Sequence, residues 1–292
     1  MSTVEYVILG HQNPDVDSIV SGYLLEKYLN NHGYCFKFII PDFKIDNENL
    51  IICRNYGLNP SDYQGILPRD EDQKYILVDH FERDVPGVVS GVIDHHPTNQ
   101  EFSYSYYRNE KASSTASMIV KGKEDEFTKD EICLAVLATM VDTVSFHSSK
   151  TLPEDVTWVK EMVHRYQLPY SQLYQEGLCL TNVCEPSDFL NHGLKVYQFG
   201  DKRIASSSVL LLHPDDYKEM YPSVFSLLQN YVSNKELEMF ALIIHDMTSF
   251  CSSVYYVDAT EVRKKEFDHF ISRGSEVIPE LEKKLYLSLI HI

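Results

Sequence analysis

The stretch Gly10-His11-Gln12-Asn13-Pro14-Asp15-Val16-Asp17-Ser18 places one imidazole and two carboxylates in a short loop directly after an apolar run, Tyr6-Val7-Ile8-Leu9. Imidazole and carboxylate together suit a divalent transition ion. The arrangement recurs twice: Tyr75-Ile76-Leu77-Val78 ends in Asp79-His80, and Val88-Val89-Ser90-Gly91-Val92-Ile93 ends in Asp94-His95-His96. A single Asp-x-Asp after a strand is more often a turn or a helix cap than a ligand pair, and His11 alone could be a core histidine. Three apolar runs that each stop at acids or histidines point instead to one metal site. In an open parallel α/β sheet the carboxyl ends of neighbouring strands face a common crevice, where ligands bind.

The elements that would position these groups can be read from periodicity. Up to about residue 185 strand and helix patterns alternate, which predicts an α/β, doubly wound, mainly parallel sheet. Residues 19–29 carry apolar side chains at helical spacing, with Ser18 able to cap them and Gly33 near their end; residues 35–40 read as the next strand, stopped by Pro41. Residues 129–141 predict a helix apolar on most sides that delivers Asp142-Thr143. Helices are also expected at 153–166 and 169–178, each with proline near its start, where the missing N–H does no harm. The non-periodic segment 181–188 marks a boundary between a first domain over 1–185 and a smaller α/β domain over 190–292. In the second, strands are expected at 203–212, 239–245 and 252–257 and helices at 222–233 and 279–289, with Lys264 and Lys265 on an exposed helix.

Composition excludes several classes. At 292 residues with 43% hydrophobic content the chain can bury two ordinary cores. A formal net charge of −17 argues against a general nucleic-acid binder, because such surfaces are basic, and a single-strand nuclease is disfavoured for the same reason. No segment approaches the roughly 18 uncharged apolar residues of a membrane helix, and Met1-Ser2-Thr3-Val4-Glu5 lacks a signal-peptide pattern, so no membrane partner and a cytoplasmic location are expected. The six cysteines, Cys35, Cys53, Cys133, Cys179, Cys184 and Cys251, contain no Cys-x-x-Cys pair and are expected to be reduced.

Gly10 through Ser18, Val78-Asp79-His80, Ile93-Asp94-His95-His96 and Val141-Asp142-Thr143 resemble, in order and context, the four motifs of the DHH phosphoesterase superfamily. Within it the closest resemblance is to the family II, manganese-dependent inorganic pyrophosphatases. Ser113-Ser114-Thr115-Ala116-Ser117 and Phe146-x-Ser148-x-x-x-Leu152 resemble the same branch. The resemblance implies that the first domain is the catalytic one, that His11, Asp15, Asp79 and Asp142 ligate one ion, and that Asp17, Asp79, His95 and Asp142 ligate the other, with Asp79 and Asp142 bridging. It implies two Mn²⁺ ions, with Co²⁺ or Mg²⁺ as alternatives, and hydrolysis of pyrophosphate to two phosphates. Elementary chemistry agrees: two dications about 3.5–4 Å apart lower the pKa of a water held between them. A mixed carboxylate and imidazole set suits Mn²⁺ or Co²⁺ better than Mg²⁺.

Three further groups flank the ligands. Asp94 is expected to hold an imidazole from behind, and His80 either supports the site or fills space. His96 follows a ligand in an extended segment, so its side chain points away from that of His95 unless the chain turns. The resemblance makes His96 the group that protonates or hydrogen-bonds the leaving phosphate, with a packed histidine as the alternative.

The second domain is expected to supply cations to the substrate. Ser272-Arg273-Gly274-Ser275-Glu276-Val277-Ile278-Pro279 stands where the resembled family carries Ser-Arg-Lys-Lys, so Arg273 is implied to bind substrate, and Lys195 matches the family's other substrate lysine. Gly274 and Ser275 replace the two lysines, Phe81 replaces an asparagine, and Pro97 an arginine; each change removes a polar or charged group. The expected partner is a small phosphorylated substrate, pyrophosphate or short polyphosphate, and a homodimer stays open. Three functions are compatible with these residues: the pyrophosphatase, an exopolyphosphatase or nucleotide phosphoesterase of the same superfamily, and a non-catalytic binding or regulatory protein.

Overall fold

The computed structural model describes residues 6–41, 45–81, 84–98, 103–178 and 180–287. They form two compact units. The first takes the described residues up to Phe146 together with Lys150–Gly177, and the second takes His147–Ser149 with the described residues from Leu178 onward.

In the first unit the strands are β1 (Tyr6–Leu9), β2 (Phe36–Phe38), β3 (Lys74–Val78), β4 (Val88–Asp94) and β5 (Tyr106–Asn109). The helices are α1 (Val16–Asn31), α2 (Asn47–Asn55), α3 (Thr115–Val120), α4 (Lys129–Asp142), α5 (Pro153–Tyr166) and α6 (Tyr170–Gly177). The described strands make one sheet in the order β2-β1-β3-β4-β5, with every pair parallel. Val7, Ile8, Leu9, Tyr75, Leu77 and Val78 are buried, as expected for parallel strands covered on both faces. The strand order reverses between β1 and β3, which opens a crevice beyond their carboxyl ends. β2 is shorter than residues 35–40 because its register with β1 lasts only from Tyr6 to Ile8.

The helix that delivers Asp142 is well anchored. Thr128 Oγ1 accepts from Glu131 N at 3.3 Å and Glu131 Oε2 accepts from Thr128 N at 2.8 Å, a reciprocal cap of the kind that contributes about 1 kcal/mol. Beyond that cap Ile132, Leu134 to Thr139 and Met140 are all buried, so α4 is a core helix whose last residue is fixed by packing.

The second unit contains α7 (Pro186–Asn191), β6 (Lys195–Phe199), β7 (Lys202–Leu211), α8 (Tyr221–Asn234), β8 (Met239–Asp246), β9 (Cys251–Val257), β10 (Val262–Phe267) and α9 (Ile278–Leu287). Its described strands form the sheet β10-β9-β8-β7-β6, in which only β7 and β8 pair in parallel. Strand alternation divides the apolar residues between two faces. Phe240, Leu242 and Ile244 pack with Phe189, Val224 and Leu228, while Ala241 and Ile243 pack with Val277, Ile278 and Leu281.

Lys264 and Lys265 correct a sequence expectation: they lie in β10, an edge strand, opposite Tyr255 and Val254, and not on a helix. Their charges carry no helical period, and lysine is a usual guard on an exposed sheet edge. Cys179 and residues 288–289 of the expected last helix lie outside the described residues.

Candidate metal centre

The proposed ligands follow the ends of neighbouring elements in the first unit. Leu9 pairs with Leu77, and Val78 with Ile93, so β1, β3 and β4 end nearly level and the residues after them enter one crevice. After β1, Asp15 caps α1 by accepting from Ser18 N at 3.1 Å, while Ser18 Oγ accepts from His11 N at 3.0 Å. A Cβ at Gly10 would fall 2.2 Å from Ser18 Oγ and displace that hydroxyl from His11, so the loop needs glycine there.

At the end of β3 the backbone of Asp79 turns into the left-handed region, φ 64°, which aspartate tolerates better than most residues. After α4, Val144, Ser145 and Phe146 are left-handed in succession, with φ 51°, 49° and 73°. That conformation is strained for a β-branched valine, and it is fixed from outside. Ser145 Oγ donates to Tyr174 O at 2.6 Å, and a Cβ at Gly177 would lie 2.8 Å from Met140 Cβ, so α6 packs tightly on this turn.

These elements bring His11, Asp15, Asp17, Asp79, His95 and Asp142 together. His11 Nε2 lies 3.4 Å from Asp15 Oδ2 and 3.5 Å from Asp79 Oδ2. His95 Nε2 lies 3.4 Å from Asp79 Oδ1, 3.3 Å from Asp142 Oδ2 and 3.9 Å from Asp17 Oδ2. Three overlapping donor groups result among the described residues, His11-Asp15-Asp79, Asp17-His95-Asp142 and Asp79-His95-His96, and Asp79 turns Oδ2 to His11 and Oδ1 to His95. Asp142 turns only Oδ2 toward the second group; its Oδ1 meets Lys150 Nζ at 2.6 Å.

The donor set fits divalent ions on a direct observation. His95 Nδ1 lies 2.9 Å from Ala112 O and His11 Nδ1 2.8 Å from Gln12 O; a carbonyl only accepts, so each Nδ1 carries a proton and each Nε2 faces the carboxylates. His95 Nε2 and Asp142 Oδ2 are buried and make no hydrogen bond. A cation between them satisfies both.

Electrostatics point the same way. Burial, with Asp79 and Asp142 adding their charges, raises the Asp17 carboxyl well above the carboxylate range. Burial opposes charge on His95, yet Asp142, Asp79 and Asp17 outweigh it and raise the imidazole to about 10. Burial also opposes charge on Asp79, but His95, His96 and His11 bring it down to about 2. The pocket is thus short of positive charge, which protons supply when ions do not.

Asp17 is oriented by the start of α3: Thr115 N donates to Oδ2 at 2.7 Å and Ala116 N to Oδ1 at 2.9 Å. Thr115 Oγ1 also donates to Asp79 Oδ1 at 3.2 Å. Sequence reasoning missed the parts played by Thr115 and Lys150. Thr115 had a signal, since Ser114 followed by an apolar run marks a capped helix start; Lys150 had none.

His96 departs from strand alternation. β4 ends at Asp94, the chain turns, and the rings of His95 and His96 lie 4.4 Å apart. Asp94 is buried and its Oδ1 accepts from His96 Nδ1 at 2.8 Å and from His96 N at 3.1 Å, so it holds His96 and not the ligand His95. The His96 side chain is 43% exposed against 3% for His95. His80 stands with its ring edge-on to His11, centroids 6.5 Å apart, and Phe81 packs on the apolar cluster of Val7, Leu9 and Leu77.

Arg273 and Lys195 belong to the second unit. Arg273 Nη1 donates to Gly193 O, two residues before exposed Lys195 at the start of β6. The Arg273–Val277 turn is closed by Ser272, whose Oγ accepts from Ser275 N at 3.3 Å, and by Glu276, whose Oε2 accepts from Ser272 N at 2.7 Å.

A parallel α/β domain with a carboxylate and imidazole cluster at its switch point is the class that this fold and site define. Residues 5–141 match the DHH family, N-terminal domain. A manganese-dependent inorganic pyrophosphatase of Methanocaldococcus jannaschii is 23% identical over 311 residues, covering 94% of this chain and 98% of that protein. Another, from Bacillus subtilis, is 26% identical over 256 residues, covering 82% of each chain. The fold is that of a crystal structure from Methanococcus jannaschii, described as a family II inorganic pyrophosphatase. The TM-score is 0.74 at 22% identity, covering 95% of this chain and 98% of that one. Among the described residues no helix is long and apolar enough to cross a membrane.

Proposed function

We propose that the chain is a cytoplasmic two-metal phosphohydrolase, a manganese-dependent inorganic pyrophosphatase that converts pyrophosphate to two phosphates. The observation that carries this reading is Asp79, which turns Oδ2 to His11 at 3.5 Å and Oδ1 to His95 at 3.4 Å and so joins two donor groups. Relatives named for that activity over most of the chain's length support it. One ion would be held by His11, Asp15 and Asp79 and the other by Asp17, Asp79, His95 and Asp142. When bound, such a pair neutralises phosphoryl oxygens and lowers the pKa of water.

The protein's own groups do the positioning. The carbonyls of Gln12 and Ala112 fix the two imidazole lone pairs, and the N–H groups of Thr115 and Ala116 aim Asp17. Asp94 holds the exposed ring of His96, which donates a proton or hydrogen bond to the leaving phosphate. Arg273 and Lys195 bind phosphate oxygens as cations.

A second reading keeps the chemistry and changes the substrate to short polyphosphate or a nucleotide phosphoester. Gly274 and Ser275 favour it, because a pocket with fewer lysines holds compact pyrophosphate less strongly. Phosphate release with Mn²⁺ from pyrophosphate, tripolyphosphate, longer polyphosphate and nucleotides separates the two. Pyrophosphate is expected to turn over fastest. Preference for a longer chain or a nucleotide would establish the second reading, and no release from any would overturn both.

A further inference from the structure

Asp155, in the first turn of α5, is a carboxylate only 1% exposed that no motif accounts for. An acid at that position ordinarily serves the N-terminus of its own helix. Asp155 instead bonds outside it: Oδ2 accepts from Ser113 N at 2.7 Å and Oδ1 accepts from Lys121 Nζ. In return Ser113 Oγ accepts from Leu152 N at 3.0 Å and caps α5, whose own N-cap residue is a leucine without a side-chain acceptor. The start of α5 and the segment before α3 therefore fix each other, and both belong to the first unit.

That segment reaches the metal centre by a direct route. Ser113 N and Ala112 O are the two ends of one peptide group, and in a planar trans peptide the N–H and C=O point in opposite directions. Ala112 O accepts from His95 Nδ1 at 2.9 Å. One line of hydrogen bonds thus runs from Asp155 through the peptide to the imidazole, whose Nε2 faces Asp79, Asp142 and Asp17. A charge on the N–H side makes the carbonyl a better acceptor, since hydrogen bonds in series polarise one another. Its effect on His95 is that of a carboxylate behind a metal-binding histidine, which fixes the ring and raises the basicity of the free nitrogen. A few residues further on, Thr115 N and Ala116 N hold Asp17. His11 and Asp15 are held within their own loop, by Gln12 O and Ser18 N.

We infer that Asp155 is a positioning residue for one of the two ions, the one at Asp17 and His95, and that it acts through the Ala112–Ser113 peptide. The inference rests on the two-metal reading of the same site. A carboxylate that only balanced Lys121 would change stability and leave both ion affinities as they are. One that only supported the fold would weaken both ions alike. Selective weakening of one ion separates the positioning role from these two.

The test uses the whole protein as wild type, Lys121→Met and the double variant Lys121→Met with Asp155→Asn. Manganese binding is followed by calorimetry, and thermal midpoints are recorded alongside. The double variant holds no unpaired buried charge, and its asparagine can still accept from Ser113 N, so the fold is kept while the carboxylate charge is lost. In Lys121→Met the carboxylate stays on Ser113 N, and both ions are expected to bind as in the wild type even where the midpoint falls. In the double variant one ion should keep its Kd and the other should show a Kd raised roughly 10- to 100-fold. Wild-type affinity for both ions in the double variant, equal weakening of both, or the same selective loss in Lys121→Met alone would overturn the inference. If Lys121→Met does not fold, the double variant against wild type decides it. Selective loss in a protein whose wild type hydrolyses no phosphoanhydride upholds the positioning role while the pyrophosphatase reading fails, and a wild type that binds no manganese overturns both.

Discussion

His95 Nε2 and Asp142 Oδ2 face each other at 3.3 Å, both buried and neither hydrogen-bonded. The carboxylates raise His95 to about 10, so without an ion the imidazole is protonated at neutral pH. An ion that binds Nε2 must displace this proton. Manganese binding is therefore expected to release at least about one proton per chain near pH 7.5, with affinity rising as pH climbs toward 10. Calorimetric titration in two buffers of different ionisation enthalpy measures it. Equal heats in both buffers would show that no proton leaves the site when manganese binds, and that His95 is neutral before the ion arrives.

His96 is held from behind by buried Asp94 and exposed on its other side, an arrangement suited to proton donation and not to packing. His96→Gln is expected to lower kcat roughly 10²- to 10⁴-fold at unchanged manganese content. Activity within a few-fold of wild type would make it a supporting residue only.

The Arg273 turn has room for the charge it lacks. A Cβ at Gly274 meets no atom within 4 Å. Gly274→Lys is accordingly expected to lower the pyrophosphate KM roughly 3- to 10-fold, and Arg273→Ala to raise KM about 10-fold for pyrophosphate and tripolyphosphate alike. Steady-state kinetics with both substrates decides this. No KM change in either variant would place the turn outside the phosphate site.

The second unit carries a pH-sensitive group of its own. Burial, reinforced by the Arg273 charge, lowers His245 to about 4. Its Nδ1 lies 2.9 Å from Ser252 Oγ, which itself donates to His269 O at 2.8 Å, so the ring serves Ser252 as a donor. Because the folded value is below the unfolded one of about 6.5, the unfolded chain takes up the proton first. The resulting stability is complete above pH ~6.5 and is lost as pH falls toward 4, by about 3 kcal/mol at most. Denaturant midpoints at pH 7.5 and 4.5 should fall further for wild type than for His245→Gln. Equal falls would show that His245 titrates normally.

The metal ligands could be read from the sequence because parallel strands are nearly continuous apolar runs, and His11, Asp79 and His95 stand where those runs stop. Asp142 was readable as the end of a helix apolar on most sides. Lys150 was not, because it reaches Asp142 through three left-handed residues, two of them Val144 and Phe146, that no propensity assigns to that region. The turn after Asp94 escaped for a related reason: strand alternation gives no sign of where pairing ends. Lys264 and Lys265 were assigned to the wrong element because β10 exists through pairing with β9, a non-local interaction, and its own residues carry little strand signal.

Asp79 turns one oxygen to His11 and the other to His95, and counting manganese tests most directly whether it joins two ions. Metal analysis of the purified, manganese-equilibrated protein should find about two ions per chain in the wild type, and fewer than about one in Asp79→Ala, with phosphate release abolished together with the ions. Two tightly held ions in Asp79→Ala, or a wild type that binds none, would contradict the account.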